Sequence, residues 1–389
     1  MYRVKILHII LTTIASFMSL STTGDSSLWP TPAIKAAYWP SWSKTLPPSA
    51  IDTTLFTHVH YAFLNPNNVT YKVEVSDREA VLLRNFANPL HQKDPPVKTL
   101  ASIGGGGNDP KFYARMASNA ETRKIFINSA IEVAREYGFD GLDLDWEFPG
   151  DPKEMQDLGS LFHEWRNAIQ QEAKSTHRPP LLLTAAVYFA VEFSWSKVHR
   201  KYPVSSIKKN LDWINAMCYD YHGGWNPTAT GAHAALYDPA SNISTSYGLM
   251  SWIRAGLPPR MVVMGLPLYG RSWLLKDPNV HGIGAPAVAT GPYGDGVMTF
   301  NQVEEFNREN SATVVFDMET VSTYSYAGLT WVGYDDTEST TIKLRFAKAL
   351  GLRGYFFWAL SYDSEWKISR QGNPPQLITI MPTCLLSNL

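Results

Sequence analysis

The chain has 389 residues, of which 34 are Lys or Arg and 35 are Asp or Glu, so its formal net charge is −1. A charge this balanced gives no reason to expect a nucleic acid or a membrane surface as a partner, and we expect a monomer. Aromatic residues make up 13% of the chain, including 13 Trp. Many aromatic residues are typical of proteins whose binding clefts contact the flat apolar face of a ligand such as a sugar ring, and also of proteins with a large hydrophobic core.

The first 24 residues are predicted to be a secretory signal. Arg3 and Lys5 supply a positive start, an apolar stretch follows from residue 6 to residue 20, and small polar residues then form a plausible cleavage region. The apolar stretch is short for a membrane span, although an N-terminal anchor is the alternative, and no later segment reaches spanning length. We therefore expect a secreted protein, extracellular or vacuolar, whose mature chain starts near Gly24 or Asp25.

The chain contains two cysteines and two glycosylation triplets, and the triplets are compatible with secretion. The chain has two cysteines, Cys218 and Cys384, which lie far apart and form no disulfide framework. Because Cys218 lies within an apolar run, we expect it to be a buried free thiol. Asn68 and Asn242 each begin an Asn-x-Ser/Thr triplet and are candidates for N-glycosylation, although such triplets are also common by chance.

Eight strand-like runs alternate with long connections, several of them helical. A helix is predicted from the capping box Ser118–Glu121 to Tyr137, and an amphipathic helix follows the fourth strand. Strands joined in this way should be parallel, and eight such units favour a closed (β/α)8 barrel, an α/β fold, over an open sheet. The predicted strands are residues 34–39, 55–64, 97–103, the acidic stretch 139–150, 181–187, 211–219, 261–269 and 354–360.

Two local patterns before the fourth strand have structural and functional interpretations. His58 and His60 share one face of the second strand, as two zinc ligands would. Tyr61 and Phe63 occupy the other face, so if these aromatics line the barrel the histidines point to the helices; buried structural histidines are favoured. The glycines at 104–107 lack the Gly-Lys-Ser/Thr or dinucleotide pattern of a phosphate loop, which favours a tight turn with close backbone approach.

The fourth strand carries acids on one face only. Strand side chains alternate between faces, so Asp143, Asp145 and Glu147 share one face while leucines and a tryptophan share the other. Three neighbouring carboxylates cannot all ionise, so at least one pKa should rise, which provides a proton donor near neutral pH. The C-terminal end of a parallel strand is also where active sites form. A divalent cation site is the alternative for this pattern.

Aromatic residues end the sixth and eighth strands. Met217 and Tyr219 share a face at the end of the sixth strand, just before Asp220, and Trp358 is near the end of the eighth. Aromatic rings that face acids at barrel strand ends suit a sugar ring, which stacks through its apolar face and hydrogen-bonds at its edges. Core filling is the alternative for Tyr219 and Trp358.

The interval between the seventh and eighth strands is too long for a single helix. Residues 273–334 contain short β-like runs, a helix around residues 302–308 and a hairpin around residues 323–333. We predict a small α+β insertion at the catalytic face of the barrel, which itself would comprise residues 25–272 and 335–370. Residues 371–389 form a tail whose structure the sequence does not define.

At these positions the sequence resembles glycoside hydrolase family 18. The pattern Asp140-x-x-Asp143-x-Asp145-x-Glu147 looks like the family signature, and Ser102-Ile-Gly-Gly105, Met217-x-Tyr219-Asp220 and Trp358 resemble its motifs on the third, sixth and eighth strands. The insertion resembles the family's chitinase insertion domain. Among subfamilies the chain is most similar to plant class V chitinases, including relatives that cleave lipochitooligosaccharide nodulation signals. Phe148 departs from the Tyr that many members have there.

The resemblance implies a secreted chitinase that cleaves β-1,4 bonds between N-acetylglucosamine units by a substrate-assisted retaining mechanism, an exception to the two-carboxylate scheme, without a metal or cofactor. Glu147 would be the general acid, Asp145 would orient the acetamido group, Asp143 would tune Asp145, and Tyr219 would hydrogen-bond the acetamido group. The implied substrate-binding residues are Trp358, Asp220, Met217, Tyr38, Phe63, Gly105 and Arg271. Chitin or a chitooligosaccharide would be the partner.

Two other functions remain open from the sequence. Some family members hold chitin as lectins without cutting it, normally after losing the catalytic acid, whereas Glu147, Asp145 and Tyr219 are all present here. A hydrolase specialised for lipochitooligosaccharides is the other alternative, because the shape of the binding subsites depends on the insertion and the loops.

Overall fold

A computed structural model describes residues 33–373. The predicted signal, Cys384 and all but the first three residues of the predicted tail lie outside these residues. In the part described, no helix is long and apolar enough to cross a membrane.

The elements follow the alternation predicted from the sequence. The strands are β1 Ile34–Pro40, β2 His58–Leu64, β3 Lys98–Gly104, β4 Gly141–Asp145, β5 Leu182–Tyr188, β6 Glu192–Trp195, β7 Val198–Lys201, β8 Trp213–Met217, β9 Val262–Pro267, β10 Tyr269–Leu275, β11 Ala287–Thr290, β12 Val297–Thr299, β13 Thr313–Asp317, β14 Ser322–Ala327, β15 Thr330–Tyr334 and β16 Gly354–Trp358. The helices are α1 Asp77–Arg84, α2 Ala87–His91, α3 Pro110–Ser118, α4 Ala120–Glu136, α5 Pro152–Thr176, α6 Val204–Asn210, α7 Thr245–Arg254, α8 Phe300–Glu309 and α9 Thr337–Ala349.

Eight parallel strands close into a barrel in the order β1-β16-β9-β8-β5-β4-β3-β2. The predicted (β/α)8 fold is therefore confirmed. Five of the eight barrel strands, β2, β4, β8, β9 and β16, are shorter than the runs that predicted them, because these runs continue into a loop or a short 3₁₀ turn, as at Thr53–Leu55 before β2. Inside the barrel lies a compact cluster that includes Ala36, Leu100, Trp213 and Phe356.

The helices pack their apolar faces on the outside of the barrel. In α5 the side chain of Asp151 accepts from the backbone N–H of Glu154 and Pro152 takes the first helical position, which together start the helix. Its apolar positions Phe162 and Trp165 are fully buried. One predicted helix start was wrong by a residue: the cap of α4 is Asn119, whose side chain accepts from the N–H of Glu121, while Ser118 ends α3.

The two histidines of β2 are buried, as predicted, but they point into the barrel and not to the helices, and neither ring nitrogen of His60 has a hydrogen-bond partner within residues 33–373. His60 stacks on Tyr38 inside the barrel, whereas Tyr61 packs outward against Trp39 and Phe86. Phe63 nevertheless lies on the inner side with its ring on Trp358, because the pairing of β2 with β3 becomes irregular between Ala62 and Leu64. An irregularity of this kind breaks the alternation of faces on which the prediction relied.

The residues that follow β9 and precede β16 in the chain form a second sheet. Its strand order is β11-β10-β15-β14-β13, with β12 paired to β10, and α8 packs against it. The predicted hairpin corresponds to β14 and β15, which pair antiparallel. This sheet begins at Tyr269, so its first strand starts before residue 273, where the sequence placed the insertion boundary.

Candidate active site

The acids of β4 point into the barrel at its C-terminal end. Asp143 is fully buried and Asp145 is 4% exposed, while Leu142 and Leu144 pack outward under the helices. Glu147 follows two residues after the strand and is only half-buried. The alternation predicted from the sequence therefore holds, and it arranges the three carboxyl groups from the barrel interior to its mouth.

The glycine run after β3 brings backbone against these acids. The N–H of Gly105 donates to the carbonyl of Asp145 at 2.8 Å, and a Cβ on Gly104 would lie 2.0 Å from that same oxygen. Gly104 and Gly105 have φ values of 125° and 94°, which glycine adopts without strain. The N–H of Gly106 donates to the carboxyl group of Glu147. The predicted turn with close backbone approach is confirmed.

Asp143 is held by hydroxyl groups from its two neighbouring strands, β3 and β5, and from β1. Its carboxylate accepts from the hydroxyls of Tyr38 at 2.9 Å, Ser102 at 2.7 Å and Thr184 at 2.5 Å. Burial by itself raises the pKa of Asp143, but the contact with His60 and these hydrogen bonds outweigh it and hold the pKa below its usual value. Asp143 is therefore the charged member of the acidic group.

Asp145 and Glu147 hold the exchangeable proton. Burial, then the negative charges of Glu147 and Asp143, raise the pKa of Asp145 well above its usual range. Burial and the charge of Asp220 raise the pKa of Glu147 to about 7, although the Gly106 N–H and the hydrogen bond with Asp145 work in the opposite direction. These shifts are the physical condition for a carboxylic acid that donates a proton near neutral pH.

The acids open into a cavity of about 560 Å³ at the barrel mouth. Trp358 forms part of its wall. The ring of Phe63 stacks on Trp358 at 5.4 Å between centroids, and the ring of Trp42 lies tilted against it at 6.3 Å. The cavity is lined by Ser41, Trp42, Phe63, Asn65, Gly104, Gly106, Gly107, Asn108, Asp145, Glu147, Met217, Tyr219, Asp220, Tyr269 and Trp358. Aromatic faces beside polar edges suit a ligand that has both kinds of surface, as a pyranose does.

The end of β8 supplies the opposite wall. Met217, Tyr219 and Asp220 all line the cavity. Burial, followed by the charges of Asp145 and Glu147, raises the pKa of Tyr219 well above its ordinary value, so its hydroxyl keeps the proton and can donate a hydrogen bond. Asp220 adopts a φ of 60° and binds the guanidinium of Arg271 at 2.7 Å.

Three of the predicted substrate-binding residues lie behind the cavity surface. Tyr38 is 1% exposed and lies below the floor, where its hydroxyl meets Asp143. Gly105 packs against the ring of Phe63, and Arg271 holds Asp220 from the side of the second sheet. Each of the three contacts a residue that lines the cavity: Tyr38 contacts Trp358, Gly105 contacts Phe63 and Arg271 contacts Asp220.

The sequence did not identify eight residues of the wall as site residues: Ser41, Trp42, Asn65, Gly104, Gly106, Gly107, Asn108 and Tyr269. Ser41 and Trp42 follow β1 directly, Asn65 follows β2, residues 104–108 form the end of β3 and the turn after it, and Tyr269 begins the second sheet. All eight lie at or shortly after the C-terminal end of a predicted strand, and this position is the signal that could have identified them.

The loop after the acids is braced by a short hairpin formed by β6 and β7. Phe148 packs edge-on against Tyr188 and Phe193, at 5.4 Å and 5.8 Å between ring centroids. Arg200 of β7 donates from Nε to the carbonyl of Gly150 at 2.7 Å. Phe148, which stands where the sequence resemblance expects Tyr, therefore has an apolar environment.

The alternative of a divalent cation has no support from the arrangement of side chains. Within residues 33–373, no group of three His, Cys, Asp or Glu residues is placed to hold a metal ion. The oxygens of Asp143 are directed to hydroxyl donors below the cavity and not toward Glu147.

Comparison with known proteins agrees with this geometry. The family model "Glycosyl hydrolases family 18" matches residues 35–363. Two Medicago truncatula proteins are similar over 87% of this chain and 89% of their own length: "Nod factor hydrolase protein 1", at 54% identity, and "Class V chitinase CHIT5b", at 52%. A crystal structure of a mutant class V chitinase from Nicotiana tobaccum in complex with NAG4 matches with a TM-score of 0.84 at 41% identity, covering 87% of this chain and 97% of that one. The chain therefore belongs to glycosyl hydrolases family 18, and among its relatives are plant class V chitinases.

Proposed function

We propose that this glycoside hydrolase cleaves β-1,4 bonds between N-acetylglucosamine units of chitin or chitooligosaccharides by a substrate-assisted retaining mechanism. The observation that carries the proposal is the Asp145–Glu147 pair, two carboxyl groups with raised pKa values under an open cavity with an aromatic wall. A retaining enzyme of the two-carboxylate type needs an ionised nucleophile. The raised pKa of Asp145 favours its protonated form, which is a poor nucleophile, and this supports a nucleophile that comes from the substrate.

In the first step, Glu147 donates its proton to the glycosidic oxygen. The carbonyl oxygen of the substrate's acetamido group attacks the anomeric carbon, the bond from that carbon to the glycosidic oxygen breaks, and a cyclic oxazolinium ion forms. The unprotonated oxygen of the Asp145 carboxyl group accepts a hydrogen bond from the acetamido N–H and orients the acetamido group, while the charge of Asp143 below it stabilises the positive charge as it develops. Tyr219 donates a hydrogen bond from its hydroxyl group to the acetamido oxygen and holds that oxygen in position for the attack.

In the second step, water replaces the leaving sugar. Glu147, now a carboxylate, takes a proton from the water, and the oxygen of that water bonds to the anomeric carbon as the oxazolinium ring opens. Two inversions at the same carbon leave its configuration unchanged. The ring of Trp358 packs on the face of the sugar being cleaved, and Asp220 accepts from its hydroxyls. The step regenerates the protonated Glu147.

The test is hydrolysis of an N-acetylglucosamine hexamer by the purified protein, with EDTA present in a parallel reaction. We expect cleavage that EDTA leaves unchanged and that a Glu147→Gln variant lowers by at least about 1,000-fold. A Glu132→Gln variant, which makes the same change on the exposed face of α4, is the matched control. Tight binding without cleavage by the wild type would contradict the proposal and leave a chitin-binding lectin; loss of cleavage in EDTA would require a metal.

A second candidate substrate is a lipochitooligosaccharide. It is favoured by the 54% identity with the relative named "Nod factor hydrolase protein 1". The acyl chain of such a molecule needs an apolar surface beside the sugar site, and Trp42, which is 52% exposed at the cavity rim, offers one. The test compares kcat/KM for an N-acetylglucosamine tetramer with kcat/KM for the same tetramer carrying a fatty N-acyl chain. An equal or lower value for the acylated tetramer would exclude specialisation for lipochitooligosaccharides.

We also propose that the protein is secreted, to the extracellular space or the vacuole. The proposal rests on the composition of residues 1–24. Asn68 and Asn242 are both exposed, so an oligosaccharide transferase could reach them. A fluorescent fusion to the full chain should leave the cytosol, and a fusion that lacks residues 1–24 should remain there; equal distributions would rule out a signal.

A further inference from the structure

His60 lies beneath the active site, and the mechanism described above gives it no task. Its side chain is fully buried and stacks on the ring of Tyr38, with 4.5 Å between centroids. Nδ1 lies 3.6 Å from Oδ2 of Asp143. Neither ring nitrogen has a hydrogen-bond partner among residues 33–373. A buried imidazole in this position needs a physical explanation, because unsatisfied buried polar atoms are costly.

The charge of Asp143 supplies that explanation. Asp143 accepts hydrogen bonds from the hydroxyls of Tyr38, Ser102 and Thr184, and from the amide of Asn215 at 3.4 Å. A carboxyl group that accepts hydrogen bonds from several donors is stabilised as the anion. These donors are uncharged, however, so none of them is a counter-ion for the negative charge of Asp143. A buried carboxylate without an opposite charge is strongly unfavourable. The ion pair that the structure gives Asp143 is with His60.

We propose that His60 is a positioning residue whose imidazolium is the buried counter-ion of Asp143, so that Asp143 stays charged and the exchangeable proton stays on Asp145 and Glu147. The kinetic consequence of this proposal rests on the proposed function, because it is measured as a change in cleavage. The charge of His60 does not depend on that function. His60 does not touch the cavity and acts only through Asp143.

The groups around His60 are consistent with a single positive charge there. The titratable side chains that face it are Tyr38 from β1, His58 from its own strand and Asp143 from β4, with Asp145 one pleat further along β4. Burial raises the pKa of Tyr38 well above its usual value, so Tyr38 is neutral. Burial also lowers the pKa of His58 to about 3, so His58 is neutral as well. Asp143 is therefore the anion that stabilises a charge on His60.

Removing this charge has a predictable direction. In a His60→Phe variant the stack on Tyr38 is kept, but Asp143 loses its counter-ion and binds a proton more readily. The proton then moves from Asp145 to Asp143, and the newly charged Asp145 disfavours the ionised form of Glu147. The pKa of Glu147 rises, so the alkaline limb of the pH profile should move upward by about 0.5 pH unit or more.

The first measurement is ¹⁵N NMR of the histidine-labelled wild type at pH 7, with the His60 signal assigned by its absence in His60→Phe. We expect the signal pattern of an imidazolium, which becomes that of a neutral ring in Asp143→Asn. A neutral ring in the wild type would overturn the proposal whether or not the protein cleaves chitooligosaccharides. If the wild type proves inactive, this measurement still decides the charge of His60.

The second measurement is the pH dependence of hexamer cleavage by His60→Phe. The matched control is His58→Phe, which removes a neutral histidine from the same face of β2, where His58 packs against Trp213. We expect the alkaline limb to move in His60→Phe and to stay in place in His58→Phe. His60 would only fill space if the alkaline limb of the pH profile lay at the same pH in both variants. The same conclusion would follow if the rate in His60→Phe fell equally at every pH without a shift of that limb. If His60→Phe does not fold, the His60 signal is assigned as the one histidine signal that changes from imidazolium to neutral between the wild type and Asp143→Asn; if no histidine signal changes in this way, the proposal is overturned.

Discussion

Glu147 sets the upper end of the pH range in which the enzyme works. The acid must be protonated to donate, and its pKa is about 7 because burial and the charge of Asp220 disfavour the ionised form. On the alkaline side, kcat/KM should therefore be highest at pH values well below 7. It should fall as the pH rises through 7, by about ten-fold for each further pH unit. A profile of kcat/KM from pH 4 to 9 measures this limb, with Glu132→Gln expected to match the wild type. A constant rate up to pH 9 would contradict the assignment of the acid.

Asp220 tunes that pKa from the wall of the cavity. Its carboxylate is held in the charged form by His233 and Arg271, which outweigh the effect of burial. In Asp220→Asn the negative charge near Glu147 is lost, so Glu147 ionises more easily and the alkaline limb should move to lower pH. This direction is opposite to the shift expected for His60→Phe. The measurement is the same pH profile, and an upward shift would show that Asp220 does not act through its charge.

At the scale of elements, the β6–β7 hairpin braces the loop that carries the acid. Arg200 donates to the carbonyl of Gly150, and its guanidinium lies over the rings of Phe193 at 5.4 Å and Trp195 at 6.0 Å. The hairpin contacts the acid loop through these side chains, so its effect on catalysis should pass through Arg200.

We expect Arg200→Ala to lower kcat by about ten-fold, because an acid misplaced by a fraction of an ångström donates poorly. The free energy of unfolding should change by no more than about 1.5 kcal/mol, the usual contribution of one hydrogen bond. Lys201→Ala is the matched control, because it removes an exposed basic side chain from the same strand whose ion pair is with Glu192 of the hairpin itself. Equal kcat values for Arg200→Ala and the wild type would show that the loop holds its position without the hairpin.

At the scale of the whole molecule, one buried ion pair joins the last barrel helix to the end of the second sheet. Nζ of Lys343 on α9 lies 2.5 Å from Asp335, and it also donates to the carbonyl of Ala234. Both side chains are essentially unexposed. The contact therefore ties the end of the second sheet and the helix that follows it to the segment around Ala234, which lies 109 positions before Lys343 in the chain.

Lys343→Met should destabilise the protein by about 3–5 kcal/mol, because it leaves Asp335 charged and unpaired in the interior. The loss should be smaller in Lys343→Met combined with Asp335→Asn, which removes the orphan charge as well. Urea unfolding followed by tryptophan fluorescence measures both variants. Equal losses in the single and double variants would mean that the packing of Lys343, and not its charge, supports the fold.

The sequence by itself was sufficient for the barrel and for the order of the acids on β4. Both depend on short-range periodicity: strands alternate between faces, helices repeat every 3.6 residues, and Asp143, Asp145 and Glu147 needed only that alternation to share a face. The same reasoning identified Met217, Tyr219 and Trp358 near strand ends, where a parallel barrel forms its cavity.

Only the tertiary structure decided which of two faces is the inner one and which residues meet across the barrel. The sequence placed His58 and His60 toward the helices only on the condition that Tyr61 and Phe63 line the barrel. That condition is not met, because Tyr61 packs outward and Phe63 follows an irregular pairing. The contacts of Asp143 with Tyr38 and Asn215 join residues 105 and 72 positions away, and they exist only once the barrel closes. Short-range patterns carry no information about such contacts, so the charge balance beneath the active site could be found only in the folded molecule.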